Sequence, residues 1–561
     1  MSTLYTTVAG VALLALTLVA QDVTPPPAFG SGTVWRITLR ESDGFDIDFR
    51  MTFAATGSGW EAWSRQGAAR EMVGGGVALL GRMFGKMPSK EALIHIGDGT
   101  MRREGPVTHL TGTLESPFLG RRKFVGTIDN DRLRAELTHA SSGAKAGTLD
   151  GKRDPGSGAI RDYTALATEL EAAIRADFYD PSLLTSREFV RFFDELKKRF
   201  AGARDDLDAI VAFQALTLSL GVSHFDFIRN PRYAAHSLED ILSGDPSVDP
   251  ATFVRLTFPA ADVASLRITK WDRVGPHVDR AFERIALSKA QMLILDLRGN
   301  PGGDASSIAP FTHLVRERTI IGAFRARPFF ERAATIKSPL ADLPVLEANA
   351  SPAQLIRDLR KHGGVTGVAV PREPHFAGPV YLLVDGRTSS ASEPLAHALK
   401  VAKRATVIGE RTAGAMLTAL PHALGDGWVV TIPQADFITA DGRRLEGAGV
   451  EPDVKTDPND VLFAVADRLT ATLPFSAEVL RGGSYETQRR PDDAERSFRA
   501  ALRVADRQTP APAAADRAAV HKRLAKMRQA KGDQEGALRE YREVLKLVPD
   551  DAEALAAVRG R

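Results

Sequence analysis

The sequence contains no cysteine among its 561 residues. That absence excludes disulfide bonds, thiolate zinc sites and a cysteine nucleophile, so any nucleophile must be an oxygen or an amine. An excess of charge of one sign is also lacking, because 73 Lys and Arg residues against 70 Asp and Glu residues leave a net charge of only +3. This balance argues against nucleic acid or an anionic surface as the partner. We also expect no cofactor and no bound metal.

Long hydrophobic runs are nearly absent. The one run of membrane scale, Val8–Ala20, is too short to span a bilayer and has the length of the apolar region of a signal peptide. We therefore predict that residues 1–20 direct export, which would give a periplasmic or secreted protein with no integral membrane domain beyond this segment. No Lys or Arg precedes the run, and this leaves an uncleaved anchor or a misassigned start as alternatives.

The length predicts several domains, since one domain usually takes about 150 residues. Over residues 30–155 apolar and polar residues alternate, as in Val34–Leu39 and Phe45–Phe49, with glycine-rich turns between the runs. This pattern predicts an antiparallel β-domain. A small barrel with a ligand cavity and a β-sandwich both fit it, and its function is not readable from the sequence.

Helical periodicity follows over residues 160–225, where apolar residues recur four apart from Leu166 to Phe178. Residues 226–474 then alternate strand-like and helix-like runs, which is the pattern of an α/β core. Gly and Ser clusters mark the points where strands pass into helices, and ligand chemistry in such sheets concentrates there. The predicted fold class is therefore multidomain α/β plus β, with a helical subdomain ahead of the α/β core.

Residues 475–561 carry an internal repeat. Three positions of one predicted helix recur in a later one at an offset of 43, and the pairs are Ala494 and Ala537, Phe498 and Tyr541, and Ala501 and Val544. The offset fits one tetratricopeptide period of about 34 residues with a short insertion. We predict two tetratricopeptide-like repeats that offer a groove to a protein partner, and an unrelated helical hairpin is the alternative.

The first of two strand-to-helix transitions lies at residues 293–303. A buried strand runs into a turn with three glycines, Asp-Leu-Arg-Gly-Asn-Pro-Gly-Gly at 296–303, where backbone N–H groups can approach a bound group closely. The glycine spacing matches neither a Walker loop nor the dinucleotide fingerprint. An ordinary tight turn between a strand and a helix explains the segment equally well.

The second transition places Ser390 between the strand Val380–Val384 and a predicted helix. A serine at such a turn exposes its hydroxyl beside helix N–H groups that suit an anion. Ser390 and Glu393 also satisfy the Ser-x-x-Glu capping box, which would explain the serine without catalysis. Both interpretations stay open at this point.

Together the segment at 296–303 and the segment Thr-Ser-Ser-Ala-Ser-Glu at 388–393 resemble the signature of the C-terminal-processing, or tail-specific, serine peptidases. The blocks at 407–414 and 446–453 resemble the next two blocks of that family. The likeness covers roughly 160–474 and leaves out the β-domain and the repeats. It implies a core of crotonase-like ββα units, a peptide or protein substrate, and the activity of a serine endopeptidase or C-terminal-processing peptidase.

In that family the nucleophile is the first serine of Ser-Ala-Ser, which is Ser390 here. Members with a Ser-Lys dyad carry the lysine in a later block, where this sequence has Ala415, so another base must take the serine proton. The resemblance to the lysine-lacking branch, which includes the tricorn core protease and interphotoreceptor retinoid-binding protein, implies His224 as the general base. It also implies Ser223 and Glu446 as the polar partners of that histidine. A solvated loop at His224 and a surface charge at Glu446 are the alternatives.

The oxyanion hole that the resemblance implies combines the Ala391 N–H with one from Gly302 or Gly303. The expected function is an exported serine peptidase with a Ser-His-Glu acyl-enzyme mechanism, and the processing of protein tails is one use of it. The stretch between His224 and Met292 is short, so the PDZ module that many members insert is expected to be missing. The rival functions are a catalytically silent ligand- or protein-binding member of the same fold, and an assembly scaffold whose repeats are the working part.

Overall fold

The computed structural model describes residues 32–560, with gaps at 57–58, 73–88, 117–118, 155, 157, 244 and 333–342. The predicted signal segment, residues 1–20, lies outside the described residues. In the part of the chain that is described, no helix is both long and apolar enough to cross a bilayer.

Two compact units make up the chain. The first comprises Met1–Arg161 with Arg204–Val211, and the second comprises Asp162–Ala203 with Ala212–Arg561. The predicted helical subdomain, α/β core and C-terminal helices thus fall almost entirely in the second unit.

The first unit is a closed antiparallel barrel of eight strands. The strands are β1 (Thr33–Glu41), β2 (Asp46–Thr56), β3 (Gly59–Trp63), β4 (His95–Glu104), β5 (Val107–Ser116), β6 (Gly120–Asp129), β7 (Arg132–His139) and β8 (Lys145–Arg153). The barrel closes where β1 pairs with β8, with Trp35 opposite Arg153 and Glu41 opposite Gly147. The predicted antiparallel β-domain is therefore confirmed, and its architecture is the barrel.

Aromatic side chains fill much of the barrel interior. Phe53 stacks on Trp60 with ring centroids 5.7 Å apart, and Trp60 meets Phe124 edge to face at 5.4 Å. Trp35, Ile37 and Leu39 of β1 are fully buried. This is the inward half of the alternation seen in the sequence, because successive residues of a strand point to opposite faces. A short helix, α1 (Ala68–Met72), also belongs to this unit.

The helical stretch predicted after the β-domain contains three helices, α2 (Tyr163–Asp177), α3 (Arg187–Ala201) and α4 (Asp206–Leu220). Asp162 and Ser186 cap the first two, since their side chains accept the N–H groups of Ala165 and Phe189. The four-residue spacing that predicts α2 places Leu166, Leu170 and Ile174 on one face of the helix, and that face is buried.

A six-stranded sheet forms the centre of the second unit, in the order β10-β11-β12-β16-β17-β20. Its strands are β10 (Val254–Ala260), β11 (Val263–Ile268), β12 (Met292–Asp296), β16 (Val380–Val384), β17 (Thr406–Gly409) and β20 (Val454–Lys455). The strands from β11 onward pair in parallel, and only β10 is antiparallel. The predicted α/β core is therefore present.

A second sheet has the order β14-β15-β13-β19-β18, and β9 pairs with β19 on its other side. Its strands are β9 (Asp226–Arg229), β13 (Thr319–Ala326), β14 (Val345–Leu346), β15 (Gly364–Ala369), β18 (Thr418–Ala423) and β19 (Trp428–Thr439). The helices of this region are α5 (Pro231–Ala235), α6 (Leu238–Ser243), α7 (Gly275–Leu287), α8 (Ala309–Thr312), α9 (Arg327–Arg332), α10 (Pro352–His362) and α11 (Ser392–Val401).

The C-terminal helices are α12 (Val461–Leu469), α13 (Pro474–Thr487), α14 (Pro491–Ala505), α15 (Ala514–Ala530), α16 (Gln534–Leu547) and α17 (Ala552–Arg559). Helices α12 to α15 share one apolar core with the six-stranded sheet, in which Val263, Met292, Ile294 and Ile408 meet helix residues such as Phe498. The predicted C-terminal helices are thus present and cover one face of the sheet. Their identity as tetratricopeptide repeats, like the crotonase-like ββα units, stays a prediction.

Candidate active site

The loops that follow β12 and β16 lie side by side, because these two strands are parallel neighbours. The buried Asp385 carboxylate accepts the N–H of Gly299 at 2.9 Å, and the Ser389 N–H donates to the carbonyl of Asn300 at 3.0 Å. These bonds join the glycine-rich turn to the serine loop. The two sequence segments singled out for chemistry therefore form one site.

Ser390 lies in the left-handed region, at φ 53°, at the start of α11. Gly302 packs directly against Ser390 and has no room for a side chain, because a Cβ at Gly302 would lie 2.4 Å from the Ser390 Cβ. Only half of the predicted capping box forms: Glu393 accepts the Ser390 N–H at 3.1 Å, but no side chain caps the helix. The Ser390 hydroxyl makes no hydrogen bond to any residue that the structure describes, so it is available for chemistry.

Glu393 is fully buried and its carboxylate gathers four donors. Besides the Ser390 N–H, it accepts the Thr412 hydroxyl at 2.5 Å, the Gly414 N–H at 2.7 Å and the Ala415 N–H at 2.9 Å. Burial raises the pKa of this carboxyl above its usual range, although all four donors oppose the shift. The residue that the sequence suggested as half of a cap therefore fixes the serine loop to the segment 412–416.

Gly302 and Gly303, the two candidates for the second N–H donor of the oxyanion hole, differ in whether that N–H already makes a hydrogen bond. The Gly302 N–H donates to the Asn300 side-chain oxygen at 2.9 Å. Among the residues that the structure describes, no acceptor meets the N–H of Gly303 or that of Ala391. Gly303 has φ 141° and packs tightly against Trp271, whose carbonyl would lie 1.7 Å from an added Cβ. Gly303 and Ala391 are thus the two expected donors that retain a free N–H.

His224 lies just ahead of β9, which pairs with β19, and it also has a left-handed backbone at φ 54°. Its Nδ1 lies 2.8 Å from the Ser223 hydroxyl oxygen, and that hydroxyl donates to Glu446 Oε2 at 2.9 Å. A hydroxyl has one proton, and the carboxylate can only accept, so the Ser223 oxygen accepts the proton on Nδ1. His224 Nε2 is then the nitrogen with the free lone pair, as a general base requires.

Glu446 follows β19 after a tight turn and is 6% exposed. Its carboxylate accepts the Ser223 N–H at 2.7 Å and the Met416 N–H at 2.7 Å, in addition to the Ser223 hydroxyl. Burial lowers the pKa of His224 below its ordinary value of about 6.5, against the opposing negative charges of Glu446 and Asp226. The histidine is therefore neutral at pH 7.

The segment 412–416 connects the two halves of the site. The Ala415 carbonyl accepts the Ser390 N–H at 2.9 Å, and the neighbouring Met416 N–H bonds Glu446. Ala415 stands where the resemblance would place a lysine. Its backbone instead lies between Glu393 on the serine side and Glu446 on the histidine side.

Ser390, Ala391, Gly303 and His224 all line one cavity of about 920 Å³, hereafter the Ser390 cavity. Two other histidines are paired elsewhere, His397 with Asp441 and His422 with Asp177. Within the described ranges, no group of three or more His, Asp and Glu side chains is placed to hold a metal ion. The site has the components of acyl transfer: a free hydroxyl, an oriented imidazole and two free N–H groups.

Three residues of this framework, Trp271, Asn300 and Asp385, have no functional role that the sequence alone predicts. Trp271 donates its ring N–H to the buried Ser392 hydroxyl at 2.7 Å, which fixes the helix after the serine against the glycine turn. The Asn300 side-chain N–H donates to the Ile268 carbonyl at the end of β11 at 3.0 Å, and the Asp385 carboxylate joins the two loops through the Gly299 N–H. A lone Asn in a turn predicts only a turn. The role of Asn300 follows from its bond to the end of the neighbouring strand β11.

Comparisons with known proteins match the same part of the chain. The model of peptidase family S41 matches residues 262–456. The chain is 31% identical over 179 residues to the chloroplastic C-terminal processing peptidase of Tetradesmus obliquus, covering 32% of each chain. It is 24% identical over 200 residues to the carboxy-terminal processing protease CtpA of Bacillus subtilis, covering 36% of each.

A third relative is putative tricorn protease homolog 2 of Streptomyces coelicolor, 39% identical over 80 residues, which are 14% of this chain and 7% of that protein. The chain thus spans about a third of the length of the first two curated relatives and much less of the third. The matched residues include the glycine-rich turn, the Ser390 loop and Glu446, and they do not include His224. The similarity to peptidase family S41 therefore covers residues 262–456, about a third of the chain.

Proposed function

We propose that the chain is a serine peptidase that hydrolyses peptide bonds through an acyl-enzyme, with Ser390 as nucleophile and His224 as general base. Ser223 and Glu446 orient the histidine. The Ala391 and Gly303 N–H groups bind the oxyanion of the tetrahedral intermediate, and we prefer Gly303 to Gly302 because the Gly302 N–H already bonds Asn300.

In the acylation half of the reaction, His224 Nε2 takes the Ser390 proton as Oγ attacks the peptide carbonyl carbon. The positive charge that forms on the imidazole is stabilised by Glu446 through the Ser223 hydroxyl. The carbonyl oxygen becomes an oxyanion between the two N–H groups. When the intermediate collapses, the C–N bond breaks and Nε2 returns its proton to the leaving amine.

Deacylation repeats these steps with water. His224 takes a proton from a water molecule, the resulting hydroxide attacks the acyl carbon, and the second tetrahedral intermediate releases the carboxylate product as Ser390 regains its proton. The overall change is the hydrolysis of one peptide bond, with no proton gained or lost by the site.

The observation that carries this proposal is the chain of bonds from Glu446 through the Ser223 hydroxyl to His224 Nδ1. It assigns the free lone pair to Nε2, in a cavity that the Ser390 hydroxyl also lines. A solvated histidine in a loop would have no reason to be half-buried and bonded through Ser223 to a buried carboxylate in this way.

Two finer features belong to the same proposal. The substrate class is a peptide or protein, and processing of protein tails is supported by the names of the relatives in Tetradesmus obliquus and Bacillus subtilis. A periplasmic or secreted location is supported by the apolar run Val8–Ala20.

The test is labelling of the full chain with a fluorophosphonate, which reacts with an activated serine. We expect stoichiometric labelling at Ser390, no labelling of Ser390→Ala, and hydrolysis of peptide substrates that the same probe inhibits. Ser389→Ala is the matched control within the same loop, and it should still be labelled at Ser390. A folded chain that neither labels nor hydrolyses peptides would support the catalytically silent binding protein instead.

A further inference from the structure

The Ser390 cavity extends from the nucleophile into an apolar chamber. The chamber walls come from the second sheet, from α11 and from connecting segments, and they include Ile308, Ile321, Phe324, Leu395, Leu417 and Phe437. Phe324 and Phe437 meet edge to face with ring centroids 4.9 Å apart, which gives the wall a rigid aromatic part. These side chains offer dispersion contacts and no hydrogen-bonding groups, so they favour an apolar occupant.

The charged residues that line the cavity are compensated among themselves. Lys270 and Arg273 both pair with Asp272, at 3.2 Å and 2.9 Å. Asp304 accepts the backbone N–H of Arg273 at 2.7 Å and that of Ser306 at 2.9 Å. A charged side chain entering the cavity would compete with these bonds, whereas an apolar side chain would leave them intact.

The position of the oxyanion donors tells which substrate residue faces the chamber. The carbonyl that Ser390 attacks belongs to the residue on the acyl side of the scissile bond. Its oxygen would bond Ala391 and Gly303, which line the same cavity. The Cβ of that residue is only two bonds from the carbonyl carbon. Its side chain is therefore the substrate side chain nearest the chamber.

We propose that the Ser390 cavity binds a large apolar side chain on the acyl side of the scissile bond, and that Gly367 on β15 sets the size of that side chain. This assignment rests on the proposed peptidase function, and it narrows the substrates to peptides cleaved after residues such as Phe, Leu or Met.

Gly367 lines the cavity and has room beside it. A Cβ built there would meet only the Gly322 carbonyl oxygen at 3.7 Å and the Ile321 Cβ at 3.9 Å, both ordinary contact distances. Gly322, its partner across β13 and β15, is different, because an added Cβ would lie 2.3 Å from the Ile438 carbonyl oxygen. Side chains introduced at Gly367 can therefore extend into the chamber, and the lack of one there keeps the chamber large.

The experiment uses peptide p-nitroanilides that differ only in the acyl-side residue. For the parent, we expect kcat/KM for Phe and Leu to exceed that for Ala by at least about tenfold, since one methylene in an apolar pocket changes rates by roughly 10-fold to 200-fold. Asp and Lys should be poorer than Ala. Across Gly367→Ala, Gly367→Val and Gly367→Leu, the Phe-to-Ala ratio should fall stepwise as the chamber is filled.

Gly158→Leu is the matched control, because that glycine has no atom within 4 Å of its built Cβ and belongs to the first unit. It should keep the parent ratio, and thermal melts would check each variant for folding. Gly367→Ala keeps the test decisive if leucine disturbs the strand. An unchanged Phe-to-Ala ratio in folded Gly367→Ala and Gly367→Val would overturn the assignment.

A binding measurement separates this assignment from the peptidase proposal. Fluorescent peptides with Phe or Ala at the same position are titrated into Ser390→Ala, in which no bond is cleaved. A preference for Phe that weakens in Ser390→Ala with Gly367→Val supports the chamber even if the parent hydrolyses nothing. A parent that labels with fluorophosphonate and hydrolyses all five p-nitroanilides equally would retain the peptidase and reject the chamber.

Discussion

The six-stranded sheet buries different groups in two places. One is its carboxyl edge, where the parallel strands end and the site loops begin, and the other is its back face, which the C-terminal helices cover. At the carboxyl edge the buried groups are polar, with Asp385 and Glu393 bonding backbone N–H groups of the loops and Glu446 doing the same on the histidine side. On the back face the buried groups are apolar, and Val263, Ile294 and Ile408 meet the C-terminal helices in one continuous cluster.

This contrast separates two ways of using buried side chains. A buried carboxylate is tolerated only when donors surround it, and those donors then hold the loops in one arrangement. A buried apolar side chain contributes stability in proportion to the area it removes from water and fixes little beyond packing. Changes at the edge should therefore alter the chemistry with small changes in stability, and changes on the back face should do the reverse.

The sharpest test of the contrast is removal of the reacting groups at the edge. Ser390→Ala and His224→Ala should each lower kcat/KM for a peptide substrate by roughly 10⁴-fold or more, with little change in melting temperature. The double variant should be hardly worse than either single one, because the two groups act in one step. Near-parent rates for His224→Ala would remove it from the mechanism.

The opposite arm of the comparison is a large truncation on the back face. Phe498 on α14 is fully buried in the apolar cluster that the C-terminal helices share with the sheet, and Phe498→Ala should lower the free energy of unfolding by about 3–5 kcal/mol, measured by denaturant titration. kcat should stay close to that of the parent at temperatures where the variant is folded. Arg503→Ala, an exposed position on the same helix, is the control and should change neither quantity. A Phe498→Ala chain with parent stability but no activity would break the comparison.

A smaller effect is expected at Glu446, which in the proposed mechanism acts through Ser223 on the orientation and charge of His224. Glu446→Gln should lower kcat by roughly 10²-fold, since small misplacements of a catalytic group cost rate on that scale. It should also move the acid limb of the pH profile to lower pH, because the Glu446 charge raises the pKa of His224. Asp226 raises the same pKa without bonding Ser223, so Asp226→Asn should move the limb but largely spare kcat. Equal losses of kcat in the two variants would argue against an orienting role for Glu446.

The smallest effect is the pH dependence of the parent enzyme. With His224 as the proposed general base, catalysis needs the neutral imidazole, so kcat/KM should be constant above the histidine pKa and fall about tenfold per pH unit below it. Because burial lowers that pKa, the decline should begin below pH 6.5, the ordinary value for histidine. The profile is measured on one peptide p-nitroanilide from pH 4 to 9 with folding checked by circular dichroism. A decline centred well above pH 6.5 would contradict the desolvated histidine.

The sequence predicted most of the architecture because the patterns were local. Alternation predicted the barrel strands, and the turns at 296–303 and 388–393 lay at strand ends as expected. The local pattern identifies Glu393 only as a helix cap, because its other donors come from residues 412–415, far along the chain. The choice of Gly303 over Gly302 likewise depended on the Asn300 side chain.

The same limit applies to the C-terminal helices. Their periodicity predicts helical hairpins, and two isolated repeats bury so little apolar surface that we expect them to pack against the core or a partner. The partner of their apolar face is the sheet of the same unit, through residues such as Met292 that lie about 200 positions earlier in the chain. Periodicity identifies an apolar face but not what covers it, so a role of the repeats in binding another protein stays a prediction.

The packing of α12 to α15 on the sheet also sets an order of events during synthesis. Strands β11, β12, β16 and β17 leave the ribosome before residues 461–527 are made, and translation adds only about 5–20 residues per second. For those seconds the apolar back face has no cover. Val263, Ile294 and Ile408 therefore stay accessible to other chains until these helices are made, which makes the nascent α/β core prone to association during that interval.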